Sequence, residues 1–136
     1  MTVIYFEASE RYRRENPETC AQIIEHLGKY GNVDTKHLRK SNVLVAEVTD
    51  SSTSVGLGIG EVIEGNNWVS PHDQSRILCL YRSLDEELSQ RVSRLANPVL
   101  AGNNGVYLRK YSNIEEARRH IDDFFKKRKP RGWPLL

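Results

Sequence analysis

Apolar and polar positions follow two rhythms along the chain, and the changes from one to the other mark its elements. Val3-Ile4-Tyr5-Phe6 is a short β-branched and aromatic run, which predicts a strand. Asn16-Pro17-Glu18 follows with a polar cap, a proline at the first helical position and an early acid. Cys20, Ile23, Ile24, Leu27 and Tyr30 then recur at spacings of three and four, so an amphipathic helix is predicted over residues 17–30, with Gly31 as its stop. Residues 32–35 fit a short second strand. Residues 42–48 form a near-continuous apolar run, the mark of a strand covered on both faces, and residues 76–81 repeat it. Ser83 with Glu86 three positions on has capping-box spacing, and Leu84, Leu88, Val92 and Leu95 supply the inner stripe of a helix that stops before Pro98. Residues 105–111 read as a last strand. Asn113, with Glu116 three positions on, caps a final helix whose Ile114, Ala117, Ile121, Phe124 and Phe125 face inward.

Strands alternating with helices predict a three-layer, flavodoxin-like (doubly wound) α/β sandwich of about five mainly parallel strands, because parallel neighbours need crossovers and helices usually supply them. Ligands in such sheets gather at the carboxyl ends of the strands. The site is therefore expected from residues 6–11, after the first strand, and residues 48–60, after the third.

Composition narrows the function classes. The 136 residues suit one domain, 38% hydrophobic and 28% charged, as in an ordinary globular protein. The net charge of +2 does not demand an anionic partner, but its distribution is uneven. Residues 1–125 carry 15 basic against 18 acidic side chains, whereas Lys126, Lys127, Arg128, Lys129 and Arg131 make residues 126–136 a basic tail. Such a tail is a weak argument for nucleic acid. Cys20 and Cys79 lie in apolar stretches with neither metal-ligand nor disulfide-framework spacing, and are expected as buried thiols of a reducing compartment. No apolar run reaches the length of a membrane span, and no signal-peptide layout opens the sequence. A cytoplasmic location is expected, with the nucleus as the alternative, and no membrane partner.

Val48-Thr49-Asp50-Ser51-Ser52-Thr53-Ser54-Val55-Gly56-Leu57-Gly58-Ile59-Gly60 combines hydroxyls with alternate glycines between a buried strand and a helix. Backbone N–H groups at a helix start, helped by hydroxyls, hold phosphate well, although a plain strand-to-helix turn has the same composition. The G-x-G-x-x-G spacing and the Walker lysine are absent, which excludes the usual dinucleotide and P-loop readings. Glu7, Ser9, Glu10, Arg11, Arg13 and Arg14 crowd the other loop, where arginine forks suit phosphate oxygens and a solvated charged loop is the alternative. Glu47, inside an apolar strand, reads as a site residue or an exposed strand end. His26, His37, His72 and His120 show no ligand spacing and are expected at the surface. Neither a metal nor a cofactor is indicated.

Ile4-Tyr5-Phe6-Glu7-Ala8-Ser9-Glu10-Arg11 resembles the opening Y-F-x-G-S-x-R of the nucleoside 2-deoxyribosyltransferase family, and within it the 2′-deoxynucleoside 5′-phosphate N-hydrolases. The match continues in order through residues 23–31, Thr35-Lys36-His37, residues 42–49 and residues 77–82. The resemblance implies hydrolysis of the N-glycosidic bond of 2′-deoxynucleoside 5′-monophosphates: a carboxylate attacks C1′, the base departs with a proton, and water resolves the glycosyl enzyme. Carried over by position, it implies Tyr5 beside the nucleophile, and Ser9, Arg11, Ser52 and Gly56 around the phosphate. It also implies Ser89 reaching the phosphate from a partner subunit, hence a homodimer binding a small-molecule nucleotide.

Two departures follow. Where the family reads G-Y-E-L-G, this chain reads Gly56-Leu57-Gly58-Ile59-Gly60, so Gly58 takes the place of the nucleophilic glutamate and Glu61, about 4.5 Å further along a helix, is the available substitute. Residues 36–41 are too few for the crossover helix the family carries there, which also brings an acid that protonates the nucleoside. The sheet face left bare is expected to be covered in a dimer or by residues 66–75 with Trp68. The alternative function is a catalytically inactive relative that binds nucleotides or a protein partner.

Overall fold

The computed structural model describes residues 2–36, 42–50, 53–66, 68–70, 74–82 and 106–127. Along the chain these form β1 (Val3–Ala8), α1 (Glu10–Glu15), α2 (Pro17–Leu27), β2 (Asn32–Asp34), β3 (Val43–Glu47), α3 (Thr53–Asn66), β4 (Arg76–Arg82), β5 (Val106–Tyr111) and α4 (Ile114–Lys127). The five strands make one parallel sheet in the order β2-β1-β3-β4-β5. This is the expected doubly wound α/β architecture. The helix expected after Ser83, and the basic tail beyond Lys127, lie outside the described residues.

β3 is buried at all five positions, as its unbroken apolar run predicts for a central parallel strand. Its alternate residues feed two cores. On one face Val43 and Val45 join Ile4 and Phe6 of β1, Leu78 and Leu80 of β4, and Tyr12, Cys20, Ile23, Leu27, Ala117, Ile121 and Phe124 from α1, α2 and α4. On the other, Leu44 and Ala46 meet Ile77, Cys79 and Val62 of α3, with Tyr5, Val48, Ile59 and Leu108 packed at the margin. Both cysteines are buried free thiols, and burial pushes the Cys79 thiol up to about 12.

Helix termini follow local chemistry, with some differences from expectation. Asn113 caps α4 as expected: its Oδ1 accepts from the Glu116 N–H at 2.9 Å, and Glu116 accepts from the Ser112 N–H at 3.3 Å. The segment 10–15, expected as a charged loop, is the helix α1, because Ser9 caps it: its Oγ accepts from the Tyr12 N–H at 2.9 Å. Asn16 precedes Pro17 but makes no side-chain cap on α2. α2 ends at Leu27 with Gly28 as C-cap, and Gly31 answers a different need: a Cβ there would lie 2.3 Å from the Thr2 carbonyl oxygen. Only glycine lets the chain pass that close on its way into β2.

Gly56, Gly58 and Gly60, expected in a turn, lie inside α3. Val55, Ile59 and Val62 recur at spacings of four and three, and burying Val62 against the sheet outweighs the poor helix propensity of glycine. His26 also departs from expectation: it is buried between α2 and α4, with Nε2 2.7 Å from Asp122 Oδ1, an acid that also accepts from the Tyr30 hydroxyl. Tyr30 stacks on Phe125 at 4.5 Å, which closes that seam.

β2 ends at Asp34 and β3 begins at Val43, which leaves eight positions for the connection. Among the described residues α3 alone lies on the Leu44–Ala46 face, and Val3, Tyr5 and Glu7 of β1 stay partly exposed there. Trp68 does not cover it. It is 80% exposed, its Nε1 donating to Glu64 on α3 at 3.1 Å, because the short turn after α3 leaves it beside its own helix.

Candidate active site

The carboxyl ends of β1 and β3 are tied to each other. Ser9, which follows β1, is buried and donates through Oγ to Asp50 Oδ2 at 2.7 Å, while the same oxygen caps α1. The β3 exit is pinned from the other side: Thr49 donates its N–H to Glu47 Oε1 at 2.5 Å, and its Oγ1 accepts from the Arg82 N–H at 2.8 Å. The two segments singled out from the sequence are thus held at one end of the sheet, with the first turn of α3 starting at Thr53 directly beyond them. The N-terminus of this 14-residue helix directs its first N–H groups and the positive dipole end to that place.

Beneath the turn lies a buried polar chain. Glu47 is fully buried, so it is not the exposed strand end, one of the two readings expected for it; Oε2 accepts from the Tyr111 hydroxyl, which lies 2.6 Å from the Tyr12 hydroxyl. Burial raises the Glu47 carboxyl above its ordinary range, and the bonds from Thr49, Tyr111 and Tyr12 oppose the shift. Burial likewise pushes Tyr12 up to about 12. A carboxylate at the end of β3 with each oxygen bonded fixes the turn that follows.

The open part lies above β1. Tyr5 is in register with Leu44 and Glu7 with Ala46, so both side chains leave the sheet on the α3 face. Tyr5 packs against that core's margin, and burial followed by the Glu7 charge raises its hydroxyl. Glu7 is half-buried; burial raises its carboxyl, Arg13 lowers it, and the charge of Glu61 raises it again. Glu61 is exposed on α3, one turn beyond Gly58. Arg11, in the first turn of α1, is exposed and paired with Glu15 at 3.2 Å. Arg82 brings a guanidinium to the same sheet end, 3.4 Å from Asn16 Oδ1, and among the described residues its buried Nε has no hydrogen-bond partner. Gly56 falls in the first turn of α3, whereas Ser52 and Ser89 lie outside the described residues.

Of the residues expected at the site, Ser9 and Gly56 therefore lie at the carboxyl end of the sheet, and Tyr5 lies on the sheet face that α3, the helix of Glu61, covers. Sequence reasoning named Glu7 only as one of a crowd of charges. The alternation of β1 carried the missing signal, since positions 5 and 7 must share a face.

No family model matches the chain. A Trichoplax adhaerens protein named as a 2′-deoxynucleoside 5′-phosphate N-hydrolase is 30% identical over 145 residues, covering 90% of this chain and 92% of its own. A Danio rerio 5-hydroxymethyl-dUMP N-hydrolase is 29% identical over 120 residues, covering 69% of this chain and 78% of its own. Among solved structures, a de novo designed Rossmann 2x3 fold protein aligns with a TM-score of 0.54 at 13% identity, over 99% of this chain and 94% of its own, a likeness of fold alone. Similarity of this extent to the first relative, over nearly the full length of both chains, means that this chain belongs to the 2′-deoxynucleoside 5′-phosphate N-hydrolase family.

Proposed function

We propose that this protein hydrolyses the N-glycosidic bond of 2′-deoxynucleoside 5′-monophosphates, releasing the free base. The observation that carries the reading is the near full-length similarity to a protein named for that activity. The geometry supports it: the Ser9–Asp50 bond holds the β1 and β3 exits together, the α3 N-terminus offers a phosphate its N–H groups, and carboxylates lie further along the same face. In this reading Ser9, Arg11, Ser52 and Gly56, with Ser89 of a second copy, surround the phosphate. Tyr5 orients the acid, and Glu61 attacks C1′ from α3, where Gly58 has no side chain to do so.

The test is chromatography of the four deoxynucleoside monophosphates and their unphosphorylated nucleosides after incubation with the protein. Free base from the monophosphates, lost in Glu61→Ala and far slower without the phosphate, is the expected result. Calorimetric binding without any base release would replace the reading by that of an inactive nucleotide-binding relative, which Gly58 favours. Sedimentation of the intact chain as a dimer is the accompanying expectation.

A further inference from the structure

Cleaving an N-glycosidic bond leaves negative charge on the departing base, and the base departs readily when an acid delivers a proton to it. One carboxylate cannot both attack and serve as the acid in the same step. Glu7 is placed to be the second. It projects from β1 on the same face as Tyr5, two residues nearer the carboxyl end of the sheet, and its register partner Ala46 lies in the core against which Val62 of α3 packs. The other buried or half-buried carboxylates described above, Glu47, Asp50 and Asp122, are each held by hydrogen bonds; among the described residues none holds Glu7.

We propose that Glu7 is the proton donor and later the general base of this site, acting across from Glu61 as nucleophile. This rests on the function proposed above and supplies an acid where the connection after β2, residues 35–42, contains none. The environments divide the roles: partial burial beside the Glu61 charge favours the protonated form of Glu7 over the hold of Arg13, whereas Glu61 stands in water on α3. In the first step a Glu61 oxygen bonds to C1′ as the C1′–N bond breaks with its electron pair, and the departing base takes the Glu7 proton. In the second, Glu7 removes a proton from water as the water oxygen bonds to C1′ and the Glu61 ester breaks. The sum is nucleotide plus water to free base plus deoxyribose 5-phosphate, with both glutamates restored.

The test compares Glu7→Gln and Glu61→Gln on a deoxynucleoside monophosphate and on 4-nitrophenyl 2-deoxyribose 5-phosphate, whose leaving group needs no proton. Glu7→Gln is expected to slow base release about a hundredfold or more, to fall far less on the nitrophenyl substrate, and to lose the alkaline decline of kcat. Glu61→Gln is expected to be slow on both. Unchanged base release in Glu7→Gln, or equal losses on the two substrates, would overturn the assignment. Wild-type protein inert toward both substrates would overturn the proposed function itself, and this assignment with it; retained melting temperature in Glu7→Gln separates either result from misfolding.

Discussion

The two faces of the sheet are built to different ends. The face under α1, α2 and α4 is closed: Ile4, Phe6, Val45, Leu78, Leu80, Tyr111 and Ile121 are almost wholly buried, and the rim is sealed by Tyr30 stacking on Phe125 and by the His26–Asp122 contact. On the face under α3, among the described residues, Val62 and Asn66 are the buried helical side chains, and Tyr5 and Glu7 are left in partial contact with water. In the proposed reading, stability among the described residues is concentrated on the first face and chemistry on the second. A single strand serves both, because β1 alternates Ile4, Phe6 and Ala8 inward with Tyr5 and Glu7 outward.

That division can be broken or sharpened by substitution. The largest effect is expected from Phe6→Ala, which empties the closed core and costs about 3–5 kcal/mol, read as a fall in denaturant midpoint. A loss under about 1 kcal/mol would mean the closed face is not the seat of stability. Next comes Tyr5→Phe, one residue away on the opposite face: base release is expected to drop about tenfold, about 1.4 kcal/mol, with the melting temperature nearly unchanged. Equal damage to both would erase the contrast between faces.

The strands were legible in the sequence because the closed face dictates an unmistakable pattern, and the β3 run and the α4 stripe read out directly. α1 was hidden because its cap, Ser9, sits in a run of charges that looks like a loop. α3 was obscured by glycines whose helical state is decided by packing rather than by propensity. The burial of Glu47 and His26 is hidden from the sequence because their partners, Tyr111 and Asp122, are 64 and 96 positions away in the chain. Tyr5, Ser9 and Glu61 enter the proposed site through the family resemblance, while the position of Glu7 on the face of Tyr5 needs the register of β1 against β3.

Smaller effects probe the rims. A Cβ at Gly60 would meet no atom within 4 Å, so Gly60→Ala is expected to stabilise the protein by about 0.4–1 kcal/mol in thermal melts, by restricting the unfolded chain. Destabilisation would mean that α3 needs glycine there. The smallest concerns Asp122, whose carboxyl is held below its ordinary range first by the Tyr30 hydroxyl and then by His26, against partial burial. The native state then binds fewer protons than the unfolded one just below the ordinary aspartate value, so this stability is present above about pH 4 and lost as pH falls through the lowered value. Asp122→Asn is expected to cost about 0.5 kcal/mol at neutral pH and nothing in strong acid, since the side chain is one-third exposed. A difference that stays constant with pH would remove the carboxylate from the account.

The central claim, that the α3 face at the β1 and β3 exits holds the sugar phosphate, is tested most directly by following backbone amide resonances while deoxyribose 5-phosphate is added. Shifts centred on Glu7, Ser9, Asp50, Gly56 and Glu61, with Tyr30 and Phe125 unmoved, are the expected result. Saturable shifts confined to α2 and α4, or no shifts at millimolar ligand, would contradict it.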